Sequence, residues 1–136
     1  MQQRTIDKLC NLVCDHSAAI HRYLAHGHLR QVYENGLQHR MVNDGIWVQQ
    51  QFPLPVYDED LTCLGEYYAD LYVEERLLVD IQSVPLMTDY EDQRVMGYLR
   101  ASQADAALLI NFGSPQLEIK LVEVPPCDSP APDAPA

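Results

Sequence analysis

The chain has 136 residues, of which 47% are hydrophobic and 21% charged, enough for one domain that buries about two-thirds of its unfolded surface without disulfides or metal. Twenty acidic residues against nine basic ones give a net charge of −11 at pH 7, and such a surface repels nucleic acid because phosphate binding depends on lysine and arginine. No apolar run reaches the roughly eighteen residues of a membrane span, and a signal-peptide pattern is lacking, so we expect a cytoplasmic protein with no membrane contact.

Two helices are predicted in the N-terminal third of the chain. Apolar residues recur at three- and four-residue spacings over residues 5–25, and again over residues 29–43 after a break at His26-Gly27. Such spacing is typical of a helix with one buried face. In the second helix, this face is expected to contain Leu29, Val32, Tyr33, Leu37 and Met41.

The four cysteines do not form a recognisable metal motif. They lie at positions 10, 14, 63 and 127, without a CxxC pair. Cys10 and Cys14 share the apolar face of the first predicted helix, whereas His16 and His21 lie off that face. We therefore expect reduced thiols here rather than a zinc site.

Three extended segments follow the helices. In the first, residues 46–56, Pro53 and Pro55 cannot donate hydrogen bonds, so its end is predicted to lie at a sheet edge or outside the sheet. The second runs from about residue 64 to residue 74 and the third from 77 to 83. They surround the charged Glu74-Glu75-Arg76 and predict a β-hairpin.

Each strand of this hairpin carries one aspartate beside apolar residues. Asp70 lies four residues before Glu74, and Asp80 lies four residues after Arg76, so strand pairing brings the two carboxylates together. Two like charges are costly to bury together unless a cation or a proton lies between them. The spacing leaves two interpretations open: a divalent metal site, or two acids in water at strand ends.

The C-terminal part adds one helix and two strands. Thr88 and Glu91 predict a capping box for a helix that ends near Ser102. Residues 106–112 (AALLINF) are typical of a strand covered on both faces, and apolar residues alternate from Leu117 in a final strand.

The resulting order, α-α-β-β-β-α-β-β, predicts an α/β domain of residues 1–124 with a mixed sheet flanked by helices. From residue 125 onward, proline, alanine and aspartate dominate. This composition predicts a disordered acidic tail over residues 125–136.

Three blocks of this sequence occur in a familiar order: FPLPVYDEDLTCLGEYYADLYVEERLLVDIQSV, YEDQRVMGYLRAS and ALLINFGSPQLEIKLV. Together they resemble the GxxExxY family, a small bacterial branch of the PD-(D/E)XK nuclease-like superfamily. The resemblance runs from about residue 5 to residue 122. It implies a restriction-endonuclease-like αβββαβ core with the active site on the hairpin.

The resemblance also implies site residues. Asp70 and Asp80 match the acids that hold Mg²⁺ in active relatives, where a lysine two residues after the second acid faces the same cleft. Here the lysine position is Gln82, which carries no charge. In the GxxExxY segment, the glutamate position is Arg30, while Tyr33 is retained.

On the third helix, the resemblance implies two further site residues. They are Glu91 and Gln93, which keep their expected types. Tyr90 stands where the family usually has a histidine.

The polar positions of the motif have changed while the apolar framework remains, which indicates a nuclease fold that has lost or rebuilt its chemistry. We expect Arg30 to pair with Asp70 or Asp80 and to take the place of a metal ion.

Two functions are favoured, and a small-molecule or purely structural role with a vestigial cleft is the remaining alternative. One is a catalytically degenerate module that needs no metal and acts by binding a protein partner. The other is an active Mg²⁺-dependent nuclease with a variant site of Asp70, Asp80 and Gln82. The net charge of −11 disfavours nucleic acid as a partner, and a homodimer through a free sheet edge is compatible with both functions.

Overall fold

A computed structural model describes residues 4–124, and the expected tail lies outside the described residues. The elements are α1 (Ile6–Leu24), α2 (Arg30–Asn43), β1 (Val48–Tyr57), β2 (Cys63–Val73), β3 (Leu77–Gln82), α3 (Asp89–Ala101), β4 (Ala106–Asn111) and β5 (Glu118–Val122). The element order expected from the sequence is confirmed. Over residues 4–124, no helix combines the length and the hydropathy needed to cross a membrane.

The five strands form one mixed sheet in the order β1-β2-β3-β4-β5. β3 and β4 are parallel and are joined through α3, whereas the other neighbours are antiparallel. Every residue of β4 is buried, which confirms that this strand is covered on both faces. Both α1 and α2 precede the strands in the chain. A mixed sheet flanked by helices in this way is an α/β architecture, and it agrees with the expected restriction-endonuclease-like fold.

Hydrophobic clusters lie on the two faces of the sheet. Alternate residues of β3 divide between them: Val79 belongs to the cluster with α1 and α2, and Leu78 to the cluster with α3. On the first face, the ring of Tyr33 stacks on that of Phe112, with centroids 4.6 Å apart. The sheet is therefore the middle layer between α1–α2 and α3.

β1 and β2 change faces halfway along their length. Val48 and Val73 belong to the α1–α2 cluster, but Leu54 and Ala69 belong to the α3 cluster, although even-numbered spacings keep residues of a regular strand on one face. The pairing register continues unshifted through this region, so both strands turn together. The turn coincides with Gln51, whose φ of 52° is rare for a residue with a side chain.

The buried face of α2 differs from the expected one. Leu29 is 79% exposed and Val32 is also exposed, so the expectation for both is wrong. Leu29 has extended backbone angles just before the helix, and its side chain therefore does not continue the stripe of Tyr33, Leu37 and Met41. The buried residues of α2 are Tyr33, Glu34, Leu37 and Met41.

The carboxyl ends of β3 and β4 are held together by the buried side chain of Asn111. Its Oδ1 accepts hydrogen bonds from the N–H groups of Val84 and Gly113, both at 3.0 Å, and its Nδ2 donates to the Val84 carbonyl at 2.9 Å. A Cβ at Gly113 would overlap the backbone of residues 83–84, which explains the glycine. These contacts fix the end of β3, where the candidate site lies.

Candidate functional site

The candidate site lies where β2 separates from β3. The ladder between these strands ends at the pair Leu71↔Val79, and the next residue on each strand is an aspartate. Asp70 Oδ2 accepts a hydrogen bond from the Ile81 N–H at 2.8 Å, so a carboxylate takes a place that a ladder partner would otherwise hold. The structure therefore brings Asp70 next to the segment that carries Asp80.

Arg30 connects α2 to this point. Its Nη1 lies 2.6 Å from Glu34 Oε1 and 3.0 Å from Asp70 Oδ1. From the sequence, we expect Arg30 to pair with Asp70 or Asp80, and the structure shows the pair with Asp70. Glu34 is only 2% exposed, and a buried carboxylate requires a cation or several donors.

Two glutamines of β1 supply the remaining donors to Glu34. Gln50 Nε2 donates to Glu34 Oε2 at 2.8 Å. Gln51 Nε2 lies 3.0 Å from the same oxygen and 3.2 Å from Asp70 Oδ1. The left-handed backbone of Gln51 thus occurs where its amide bridges the two carboxylates, and the strain is located in the site itself.

A second arginine pairs with Asp80. Arg94 of α3 places Nη2 at 2.9 Å from Asp80 Oδ2, and Gln82 donates from Nε2 to the same oxygen at 2.7 Å. The guanidinium also lies over the ring of Tyr98, 5.8 Å from its centroid. Gln82 therefore faces the second aspartate, as residues two apart on a strand do.

Burial dominates the electrostatics of both aspartates. It raises the pKa of Asp70 to about 6, because lost hydration outweighs the Ile81 N–H and the nearby Arg30 charge, and the negative charge of Asp80 acts in the same direction as burial. Burial likewise raises the pKa of Asp80, against the Gln82 hydrogen bond and the Arg94 charge. Each aspartate thus has an arginine partner that offsets part of its desolvation cost.

Of the three other expected site residues, two make their hydrogen bonds elsewhere. Glu91 Oε1 accepts hydrogen bonds from the N–H of Thr88 at 2.7 Å and from its hydroxyl at 2.9 Å, forming the predicted capping box at the start of α3. Gln93 is exposed. Tyr33 is buried, and its hydroxyl donates to the Ala25 carbonyl at 2.5 Å. The structure gives Tyr33 and Glu91 roles in the framework rather than contacts with the aspartates.

Mg²⁺ is held through one or two carboxylates and several waters in near-octahedral geometry, and these aspartates fit it poorly because three of their four oxygens already face nitrogen donors. Asp70 Oδ1 faces Arg30 and Gln51, Asp70 Oδ2 faces the Ile81 N–H, and Asp80 Oδ2 faces Arg94. Within residues 4–124, no three His, Cys, Asp or Glu side chains are grouped so that they would hold a metal ion. The acids are arranged around guanidinium and amide donors.

The sequence analysis missed Glu34, Gln51 and Arg94. Glu34 had a detectable signal, because it lies four residues after Arg30 and residues at this spacing meet on one helix face. Gln51 pairs through a kink that no local pattern marks, and Arg94 reaches Asp80 only once α3 has crossed the sheet. For these two residues, the place in the site is set by tertiary structure and cannot be inferred from a short stretch of sequence.

A comparison with protein-family models matches residues 7–122 to the PD-(D/E)XK nuclease superfamily. Neither the curated proteins nor the solved structures include a match to the chain. The matched segment covers all eight helices and strands of the described chain except Ile6, the first residue of α1, and its central hairpin carries the two aspartates. The chain is therefore a member of the PD-(D/E)XK nuclease superfamily.

Proposed function

We propose that this protein is a nuclease-fold module that has lost metal-dependent hydrolysis and acts by binding a protein partner. The observation that carries the proposal is the pairing of each hairpin aspartate with an arginine, Asp70 with Arg30 and Asp80 with Arg94. A guanidinium satisfies the acids with fixed positive charge. It provides no site at which a bound water becomes a nucleophile, which is the chief contribution of a metal ion to hydrolysis.

The substitutions also support a degenerate member of the GxxExxY branch. Gln82 stands in place of the lysine and offers its amide to Asp80. Arg30 stands in place of the signature glutamate, and Glu34 one turn later occupies a buried position beside it. Each carboxylate of the site thus has a guanidinium or amide partner, and a phosphodiester would meet acids, amides and guanidinium groups that already pair with carboxylates.

The exposed residues of this chain favour a partner protein with a basic and partly apolar surface. The outer half of the β1–β2 hairpin exposes large apolar side chains, among them Tyr57, Leu61, Leu64 and Tyr68. The acidic residues Asp58, Glu59 and Asp60 lie at the same tip. Together with the overall charge of −11, this tip favours a positively charged protein over nucleic acid.

The first experiment measures metal binding and cleavage by the unmodified protein. Calorimetric titration with Mg²⁺ and Mn²⁺ at millimolar concentrations is expected to show no binding. Incubation with plasmid, linear and single-stranded DNA and with RNA is expected to leave them intact. Cleavage that disappears in Asp80→Ala would instead establish the alternative, an active nuclease with a variant Asp70-Asp80-Gln82 site.

The second experiment restores the carboxylate of the family signature. Arg30→Glu removes the cation between Glu34 and Asp70, so we expect Mg²⁺ to raise the thermal midpoint of this variant, because a ligand that binds the folded state stabilises it. Arg40→Glu makes the same charge change near the other end of α2, about 15 Å along the helix, and is the matched control. Equal responses of the two variants to Mg²⁺ would contradict the proposed role of Arg30.

A further inference from the structure

The sheet has two edge strands, and prolines block only one of them. In β1, Pro53 and Pro55 lack N–H donors, which limits pairing with another strand. At the opposite edge, β5 has β4 as its only neighbour among residues 4–124 and contains no proline from Glu118 to Val122. An unblocked edge strand is a template for pairing with another chain.

The exposed side chains of β5 add an apolar surface to this edge. Leu121 is 55% exposed, while Leu117 and Ile119 are half-buried against the α1–α2 cluster. These three residues alternate along the chain and so share one face of the sheet. On the other face, Glu118 and Lys120 stand on either side of Ile119.

We propose that β5 pairs antiparallel with β5 of a second copy of this chain, with the two-fold axis at Ile119. In this register, Glu118 lies opposite the partner's Lys120, and Lys120 lies opposite the partner's Glu118. Leu117 lies opposite the partner's Leu121, and the two Ile119 side chains meet at the axis. The segment Leu-Glu-Ile-Lys-Leu is therefore complementary to itself when it is reversed.

Cross-strand charges select this register over its neighbours. In one continuous sheet with α1 and α2 on the same face in both copies, residues that lie directly opposite each other must point to the same face. The symmetry axis can therefore move only by whole residues along β5. An axis at Glu118 places two glutamates opposite each other, and an axis at Lys120 places two lysines opposite each other, both of which are destabilising. Only the axis at Ile119 creates two opposite-charge pairs while covering Leu121.

The contacts of these side chains within one chain are compatible with the pairing. Lys120 Nζ lies 3.2 Å from Asp92 Oδ2 of α3, so the partner's Glu118 would approach a lysine already oriented on the correct face. Glu118 is held by Asn111 Nδ2 at 2.8 Å. The dimer is a closed two-fold assembly with one continuous ten-stranded sheet, and it does not depend on whether the cleft binds metal.

The oligomeric state of the full chain tests this inference. Sedimentation equilibrium from micromolar to millimolar protein is expected to show a monomer–dimer equilibrium. Leu121→Lys should raise the dissociation constant by about tenfold or more, because it removes apolar burial at the edge. Leu29→Lys makes the same change at a residue that is 79% exposed and lies just before α2 rather than on β5, and should leave the equilibrium unchanged. A monomer at all concentrations, or equal effects of both variants, would overturn the proposal.

A charge-swap experiment tests the register. Lys120→Glu alone places like charges opposite each other in the homodimer, and Glu118→Lys alone does the same with the opposite sign. Each variant should therefore be monomeric, whereas an equimolar mixture should form a heterodimer with both opposite-charge pairs restored. Homodimers of either variant as stable as the wild type, or a mixture that stays monomeric, would refute pairing about Ile119.

Discussion

Glu34 adds a buried negative charge to the cleft beside Asp70. Its carboxylate is buried yet receives Arg30, Gln50 and Gln51 as donors. Breaking such a group by removing one partner is costly because the remaining charge stays desolvated. Arg30 is therefore part of the packing of α2 against the sheet as well as the counter-ion of Asp70.

The titration of Asp70 follows from its burial. We expect its carboxyl ¹³C chemical shift to change around pH 6. Asp60 is the matched control, because hydrogen bonds from Thr62 lower its pKa from the ordinary value of 3.8. A midpoint for Asp70 below that of Asp60 would show that Arg30 outweighs desolvation.

The same shift predicts a pH-dependent stability difference. Since the folded pKa of Asp70 is about 6 and its ordinary value is 3.8, folding favours the protonated form, and this contribution is present at low pH and lost as the pH rises through 6. In urea unfolding, the free energy of unfolding of Asp70→Asn relative to that of the wild type should therefore rise by about 3 kcal/mol between pH 3 and pH 7. Asp60→Asn should change in the opposite direction.

At the scale of elements, the kink in β1 and the junction between α1 and α2 position the site. The kink at Gln51 turns both strands of the hairpin toward the other layer. The junction is held by the Tyr33 hydroxyl, which donates to Ala25 and accepts from the His28 N–H at 3.2 Å. His28 in turn accepts a hydrogen bond through its carbonyl from the Ser83 hydroxyl, just beyond β3, at 2.7 Å.

The strain at Gln51 is testable by comparing glycine with alanine. Both Gln51→Gly and Gln51→Ala remove the amide, but only glycine adopts a positive φ without steric cost. We expect Gln51→Gly to be the more stable variant by about 1 kcal/mol in urea unfolding. At Gln49, which has no positive φ, alanine should be the more stable. The same ranking at both positions would mean that Gln51 is unstrained.

The helix junction makes a second prediction at this scale. Tyr33→Phe keeps the ring stacked on Phe112 but leaves the Ala25 carbonyl and the His28 N–H without their partner. We expect a loss of about 1–3 kcal/mol of unfolding free energy. Tyr23→Phe, at a residue 80% exposed, is the control and should change stability little. Equal effects would show that the hydroxyl of Tyr33 does not hold the junction.

For the whole molecule, the net charge of −11 is the dominant feature. Like charges spread over one small domain repel each other and favour expanded states. The ion pairs described above reduce this repulsion locally, at Asp70, Asp80 and Asp92. Acidic residues on the surface, among them Asp58, Glu59 and Asp60, are exposed to solvent and are therefore open to screening by salt.

Salt is accordingly expected to stabilise the protein at neutral pH. Raising NaCl from about 0.01 M to 0.15 M shortens the screening length from about 30 Å to 8 Å, so the thermal midpoint at pH 7 should rise. At pH 4.6, near the sequence pI, the same addition should have little effect. A lower midpoint in salt at pH 7 would mean that favourable ion pairs outweigh the overall repulsion.

The sequence predicts the framework better than the site. Helix spacing, the capping box of Thr88 and the apolar run of β4 are local signals, and the structure confirms all three. Leu29 departs from the expected buried face because it lies just outside α2, where helical periodicity no longer sets the direction of a side chain. The partner of Asp80 depends on how α3 crosses the sheet, which is not encoded in any short window.

The hairpin of β1 and β2 contributes side chains to both layers of the domain because it changes faces at Gln51 and Asp70. The α1–α2 layer therefore cannot detach from the sheet without pulling on the same two strands that the α3 layer needs. Hydrogen exchange should consequently report one shared opening event for amides in both layers, rather than separate melting of each. The kinked hairpin of β1 and β2 would thus couple the unfolding of the α1–α2 layer to that of the α3 layer.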